Sequence, residues 1–389
     1  MRYDFDSIVD RRAADAVKWH VADGELPMWV ADMDFRVAPE IEAALRARLD
    51  HGVFGYGSVP DEWYDAYRGW WSCRHGLDIP REALAFCTGV IPAISSAVRR
   101  LTVPNENVVI QTPVYNIFFN CIKNNGARVL ESPLAYEGGA YSIDFCDLER
   151  KFAEPQTTLM LLCNPHNPVG RIWTRDELAG IGRLAKKHGV TVISDEIHCD
   201  VTAPGTKYVP FASVSDECRE VSVTCIAPTK AFNIAGLGTA AVAVFDPRLR
   251  ARIVRAINTD EVAEPSSFAV CAAVAAFREG GAWLDEMREY VFENRRIAEE
   301  YIAANAPALF AIRGEATYLL WIDGTRAARS DGESLAKYIR RKSGLFLSDG
   351  AVYGECGRNF LRMNLACPRP MLIDGLGRLA AAVGKGETV

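Results

Sequence analysis

Residues 190–198 read VTVISDEIH, and residues 221–230 read VSVTCIAPTK. Each is a run of β-branched and apolar residues that ends in groups able to do chemistry: Asp195 and His198 in the first, Thr229 and Lys230 in the second. A strand with no polar alternation is buried on both faces, as in a parallel sheet covered by helices on either side. Working outward, residues 106–113 (ENVVIQTP), 157–168 (TTLMLLCNPHNP) and 238–245 (GTAAVAVF) predict further strands of the same kind. Residues 174–189 (TRDELAGIGRLAKKHG) predict a helix between them, N-capped by Thr174, completed as a capping box by Glu177 and ended by Gly189. The fold class is α/β, a mostly parallel sheet sandwiched by helices in a large domain.

After about residue 280 the pattern changes. A long helical segment (283–307) leads to strand-like ATYLLWID (316–323), a helix at 333–344 and strand-like NFLRMNLA (359–366). This predicts a smaller α+β domain. The division places the large domain at 46–280, with 1–45 and 281–389 forming the small one.

The 389 residues carry 44 Lys+Arg against 50 Asp+Glu, a net charge of −6, with no basic run. That balance argues against nucleic-acid binding. The apolar stretch at 268–277 is too short to span a bilayer and predicts a buried helix. No basic and apolar leader opens the chain, so a cytoplasmic protein is expected. The eleven cysteines show no C-x-x-C pairing and six histidines are scattered, so reduced core thiols are expected and no metal site.

In parallel sheets, ligands collect beyond the carboxyl ends of the strands. Asn164, Asn167, Asp195, His198, Thr229 and Lys230 are all placed there. A carboxylate behind an apolar strand needs a cationic partner, and a pyridinium nitrogen is one; alone, Asp195 reads equally as a loop acid or an N-cap. Lys230 alone reads as a surface lysine. Together on neighbouring strands they supply an amine for a Schiff base and an acid for a ring nitrogen, which are the needs of pyridoxal phosphate. Thr88, Gly89, Val90 and Ile91 precede a helix with Pro92 in its first turn, a ready anion site. Tyr115 either stacks on a flat cofactor or packs in the core. Arg362, in an apolar strand, demands an anion: a substrate carboxylate or a structural acid. Trp29, Met33 and Phe35 either line an entrance or pack.

Taken in order, TPVY (112–115), NPHNPVG (164–170), ISDEIH (193–198), APTKAFNIAGL (227–237) and NFLRMN (359–364) resemble the fold-type I pyridoxal-phosphate enzymes of the aminotransferase class I/II superfamily. LPMWVADMDF (26–35), FGYGSVP (54–60) and DEIHCD (195–200) narrow the resemblance to the MalY/PatB-type cystathionine β-lyases. The resemblance implies pyridoxal 5′-phosphate as cofactor and α,β-elimination of cystathionine or related cysteine S-conjugates to a thiol, pyruvate and ammonia. It makes Lys230 the covalent anchor and Cα proton shuttle, Asp195 the partner of the pyridine nitrogen and Tyr115 the stacking ring, these three being the catalytic set. Asn167 and His198 would face the ring 3′-oxygen. The backbone N–H groups of Val90 and Ile91, with the Thr229 hydroxyl, would hold the phosphate. Arg362 would clamp the substrate carboxylate. Tyr56 would reach phosphate and substrate from a partner subunit, which implies a homodimer with shared sites. Two departures stand out: Ala227 where many relatives have a phosphate-binding Ser, and Gly238 where some aminotransferases have Arg. An aminotransferase of the same superfamily is the alternative activity. A role in sequestering a regulator, with or without catalysis, is the alternative of another class.

Overall fold

A computed structural model describes residues 2–329 and 331–384. The apolar runs form one seven-stranded sheet in the order Leu84–Cys87, Ala240–Ala243, Ser222–Ile226, Thr191–Asp195, Thr157–Cys163, Asn107–Ile110 and Arg128–Glu131. The strands from Ser222–Ile226 to Arg128–Glu131 are parallel. Ala240–Ala243 is the reversed strand, antiparallel to both neighbours. Between Ile226 and Ala240 the chain holds only the 3-10 turn Ala235–Leu237, with no crossover helix, so it doubles back beside the strand it has just left.

Alternating residues of Thr157–Cys163 enter two different cores, which explains the unbroken apolar run. Leu159 and Leu161 pack with Ile94 and Val98 of the helix Val90–Leu101. Met160 and Leu162 pack with Leu178 and Ile181 of the helix Arg175–His188. Burying each such side chain contributes about 2 kcal/mol. The second helix begins as predicted. The Thr174 side chain accepts the Glu177 N–H (3.2 Å), and the Glu177 carboxylate accepts the Thr174 N–H (2.8 Å). Gly189, at φ +71°, ends it in a left-handed turn.

The helix Ser267–Glu279 buries all five of its alanines, and the long helix Gly281–Asn305 follows it. Beyond lies an antiparallel sheet ordered Phe310–Ala311, Leu319–Asp323, Phe360–Asn364 and Ser348–Asp349. The N-terminal segment joins this part: Leu26–Pro27 pairs with Leu345–Phe346, and Met28 accepts the Asn364 N–H at 2.9 Å. The division at 45/46 falls within the helix Pro39–Asp50.

Candidate active site

The parallel strands aim their carboxyl ends at one edge, and register sets Cys163, Asp195 and Cys225 side by side there. Asn164 is next along, its N–H donating to the Asp195 carbonyl at 2.9 Å. Lys230 does not close its strand as the sequence predicts. The strand ends at Ile226, and Ala227, Pro228 and Thr229 carry the chain on, because Pro228 has no N–H for the ladder. Tyr115 follows the turn after Ile110, while Val90 and Ile91 open the helix after Leu84–Cys87.

Asp195 is 4% exposed. Burial pushes its carboxyl up to about 7, against the opposing pull of the Ile197 N–H (3.1 Å) and the Lys230 charge. Among the described residues no cation forms an ion pair with it. Burial also lowers the Lys230 pKa; Asp32 opposes this, Arg362 adds to it and Asp195 opposes it. His198 is buried, and burial, then Lys230 and Arg362, push its imidazole down to about 3, so it is neutral. Its Nδ1 has no partner among the described residues. The Tyr115 hydroxyl is pushed up to about 12 by burial and then by Asp195.

Arg362 donates from Nη1 to Asn167 Oδ1 (3.2 Å) and from Nη2 to the Trp29 carbonyl (3.0 Å), with its guanidinium 4.9 Å from the Tyr353 ring centroid. Its Nε is unpartnered, and no described acid pairs with it. The structural-acid alternative is thereby removed. A buried guanidinium with only neutral acceptors suits a bound carboxylate.

The helix Val90–Leu101 starts at Gly89 with no side-chain cap and no acid in its first turn. Its first N–H groups are therefore left for an anion. Thr229 is buried, directly before Lys230. Gly238 has φ +62°, and a Cβ there would lie 3.1 Å from the Thr88 carbonyl, so the chain entering the strand Ala240–Ala243 passes tightly beside the Thr88–Gly89 turn. Tyr56 is not brought to the site by its own chain. It is fully exposed, in an irregular segment anchored by Phe54 stacking on Phe268 at 5.5 Å.

The sequence reading missed the strap that covers the site. The carbonyls of residues 29–33 accept side-chain donors one after another. Trp29 takes Ser348 (2.9 Å) and Arg362, Val30 takes Asn364 (2.6 Å), and Ala31 takes Lys230 (2.6 Å) and Tyr318 (2.9 Å). Asp32 takes Asn364 again (2.6 Å), and Met33 takes Asn233 (3.1 Å). The motif LPMWVADMDF hid this because backbone acceptors have no residue signature. Met33 and Phe35 are core, Phe35 lying 5.2 Å from the Phe5 ring, while Trp29 stacks on Phe346 at 4.9 Å.

Two buried networks flank the site. Glu196 accepts from Tyr208, from Ser194 (2.8 Å) and from the Phe211 N–H (3.0 Å). His75 converges on the adjacent Cys199 and Asp200 from 125 residues away, but Trp70 (3.0 Å) and His75 (2.9 Å) already occupy the Asp200 carboxylate. All eleven cysteines are free thiols. Among the described residues no helix is long and apolar enough to cross a membrane.

A buried acid without a cation, an amine of lowered pKa, an imidazole and a guanidinium with open nitrogens, and an uncapped helix start together fit pyridoxal phosphate and an amino-acid carboxylate. The chain belongs to the aminotransferase class I and II family, which it matches over residues 30–378. Within that family it is 43% identical over 386 residues to the cystathionine beta-lyase PatB of Bacillus subtilis, covering 97% of this chain and 99% of that protein. It is 34% identical over 389 residues to the protein MalY of Escherichia coli, covering 98% and 99%. The crystal structure of cystalysin from Treponema denticola, which contains a pyridoxal 5′-phosphate cofactor, superposes with a TM-score of 0.93 at 34% identity, covering 98% of this chain and 99% of that one.

Proposed function

We propose that the chain is a pyridoxal-phosphate-dependent carbon–sulfur β-lyase that cleaves cystathionine or a related cysteine S-conjugate to a thiol, pyruvate and ammonia. The observation that carries the reading is the buried Asp195, without a cation of its own, on the strand beside the one leading to Lys230.

Bound pyridoxal phosphate supplies an electron sink for the pair released when the substrate Cα proton leaves. Asp195 holds the ring nitrogen; a cation placed against it returns its carboxyl to the charged form that burial alone disfavours. Lys230 anchors the cofactor covalently. Its lowered pKa leaves more of the free amine neutral at pH 7, as a base for the Cα proton requires. Arg362 takes the substrate carboxylate through its open edge, and Asn167 and Trp29 fix the guanidinium plane so that the reacting bond is oriented. Asn167 and His198 would meet the ring oxygen of bound cofactor, with His198 neutral and its Nδ1 open. Tyr115 would stack on the ring. Val90, Ile91 and Thr229 hold the phosphate, since Ala227 and Gly238 offer no side-chain donor.

The exposed Tyr56 supports a homodimer in which Tyr56 of the partner subunit completes phosphate and substrate binding. Free thiols throughout support a cytoplasmic location. The division into residues 46–280 and the remaining segments is proposed on the separate seven-stranded and four-stranded sheets. The deciding experiment adds cystathionine to purified holoenzyme without a keto acid. Pyruvate and free thiol are expected; amino transfer that needs an added keto acid overturns the lyase reading.

A further inference from the structure

We propose that Tyr318 is a positioning residue for Lys230, acting through the backbone carbonyl of Ala31 so that the free amine turns its lone pair toward the substrate. The inference rests on the function proposed above, with Lys230 as base.

Ala31 O is a shared acceptor: Lys230 Nζ lies at 2.6 Å and Tyr318 Oη at 2.9 Å. A carbonyl has two lone pairs, so both are in use. Once Lys230 is bonded to the cofactor it stops serving this carbonyl, and an abandoned buried acceptor is costly. Tyr318 keeps it satisfied and in place for the amine's return. A neutral amine has two N–H groups and one lone pair. Giving one N–H to a fixed carbonyl sets the direction of the lone pair, and a carbonyl does not compete for the proton. In the transfer the Cα–H bond breaks, its electron pair stays with the substrate and cofactor, and an N–H bond forms at Nζ. The resulting ammonium keeps the same acceptor.

Tyr318 is held firmly enough for the task. It is fully buried, its carbonyl accepts the Leu365 N–H (2.8 Å), and its ring meets His198 edge-on at 6.0 Å. Burial raises its phenol pKa, so it stays a donor. The residue before it, Thr317, has φ +65°, a left-handed conformation unfavourable for a β-branched residue. That backbone is clamped from both sides: the Thr317 N–H donates to Val201 (2.7 Å), and the buried Arg295 donates to the Thr317 (3.2 Å) and Leu319 (2.8 Å) carbonyls. Strain is maintained at the point that aims Tyr318.

The test is Tyr318→Phe, which removes one hydroxyl, with two measurements. One is the rate at which cofactor-free protein develops visible absorbance on adding pyridoxal phosphate. The other is holoenzyme-catalysed exchange of the Cα proton of alanine, which has no leaving group, in deuterated water. Both are expected to slow about fivefold, the size of one neutral hydrogen bond, with KM for cystathionine unchanged. Unchanged rates overturn the proposal. If the variant does not fold, 3-fluorotyrosine at 318, a stronger donor of the same shape, replaces it; an exchange rate equal to wild type again overturns the proposal. Lys230→Ala separates the two readings: should it develop the same visible band, the function itself fails, whereas a Tyr318→Phe protein identical to wild type sinks only the positioning role.

Discussion

Arg362 of the small antiparallel sheet donates to Asn167 Oδ1 at 3.2 Å, and Asn167 belongs to the turn beyond the strand Thr157–Cys163 of the large sheet. One hydrogen bond thus ties the group proposed to read the substrate carboxylate to a residue proposed to face the cofactor ring. Binding and chemistry are registered against each other there.

Replacing Arg362 by Lys keeps a charge but loses the planar fork. KM for cystathionine is expected to rise about tenfold and kcat to fall, since an ill-anchored carboxylate misplaces the reacting bond. Steady-state kinetics check this; an unchanged KM makes Arg362 structural.

Lys230→Ala is expected to remove the visible absorbance of the cofactor-bound protein and nearly all turnover. Wild-type elimination by this variant would assign the proton shuttle to another group.

The pH dependence of the cofactor-free protein has a definite sign. Asp195 has its folded pKa raised to about 7, so between about 4 and 7 the folded state holds a proton that the unfolded state has lost, and stability falls as pH rises. His198 has its folded pKa lowered to about 3, so up to about 6.5 the unfolded state holds the extra proton, and stability rises with pH. The two slopes oppose each other over about pH 4 to 6.5, each approaching about 1.4 kcal/mol per pH unit. Asp195→Asn should leave stability rising with pH over this range, and His198→Gln should leave it falling. Urea unfolding at several pH values reads both, and parallel curves for all three proteins refute the assignment.

Tyr56→Ala and Lys230→Ala should each be nearly inactive. If Tyr56 serves the partner's site, unfolding and reassembling an equal mixture restores about a quarter of wild-type activity, because half the dimers are mixed and each has one intact site. No recovery would mean that Tyr56 does not serve a partner's site.

Part of this site is legible from residue order because its groups follow strands. Asp195 and Asn164 each directly follow a buried apolar run, and the carboxyl ends of parallel strands meet at one edge whatever the rest of the chain does. The apolar run predicts a strand that continues to Lys230, whereas it ends at Ile226, because Pro228 has no N–H for the ladder. Arg362 was legible as a buried cation but not its neutral partners, because the Trp29 carbonyl lies 333 residues away. His75 reads as one of six scattered histidines for the same reason: its partner Asp200 is 125 residues away, and the two meet at 2.9 Å.

By itself the order of residues determined the sheet, the capped helix and the groups at the strand ends, because those follow from local periodicity and short-range hydrogen bonds. Only the tertiary structure decided that the carbonyls of residues 29–33 lie over Lys230 and Arg362, and that Tyr318 shares one of them. A backbone acceptor is the same in every residue, so where it points is settled by packing between distant segments and is written in no single stretch of the chain.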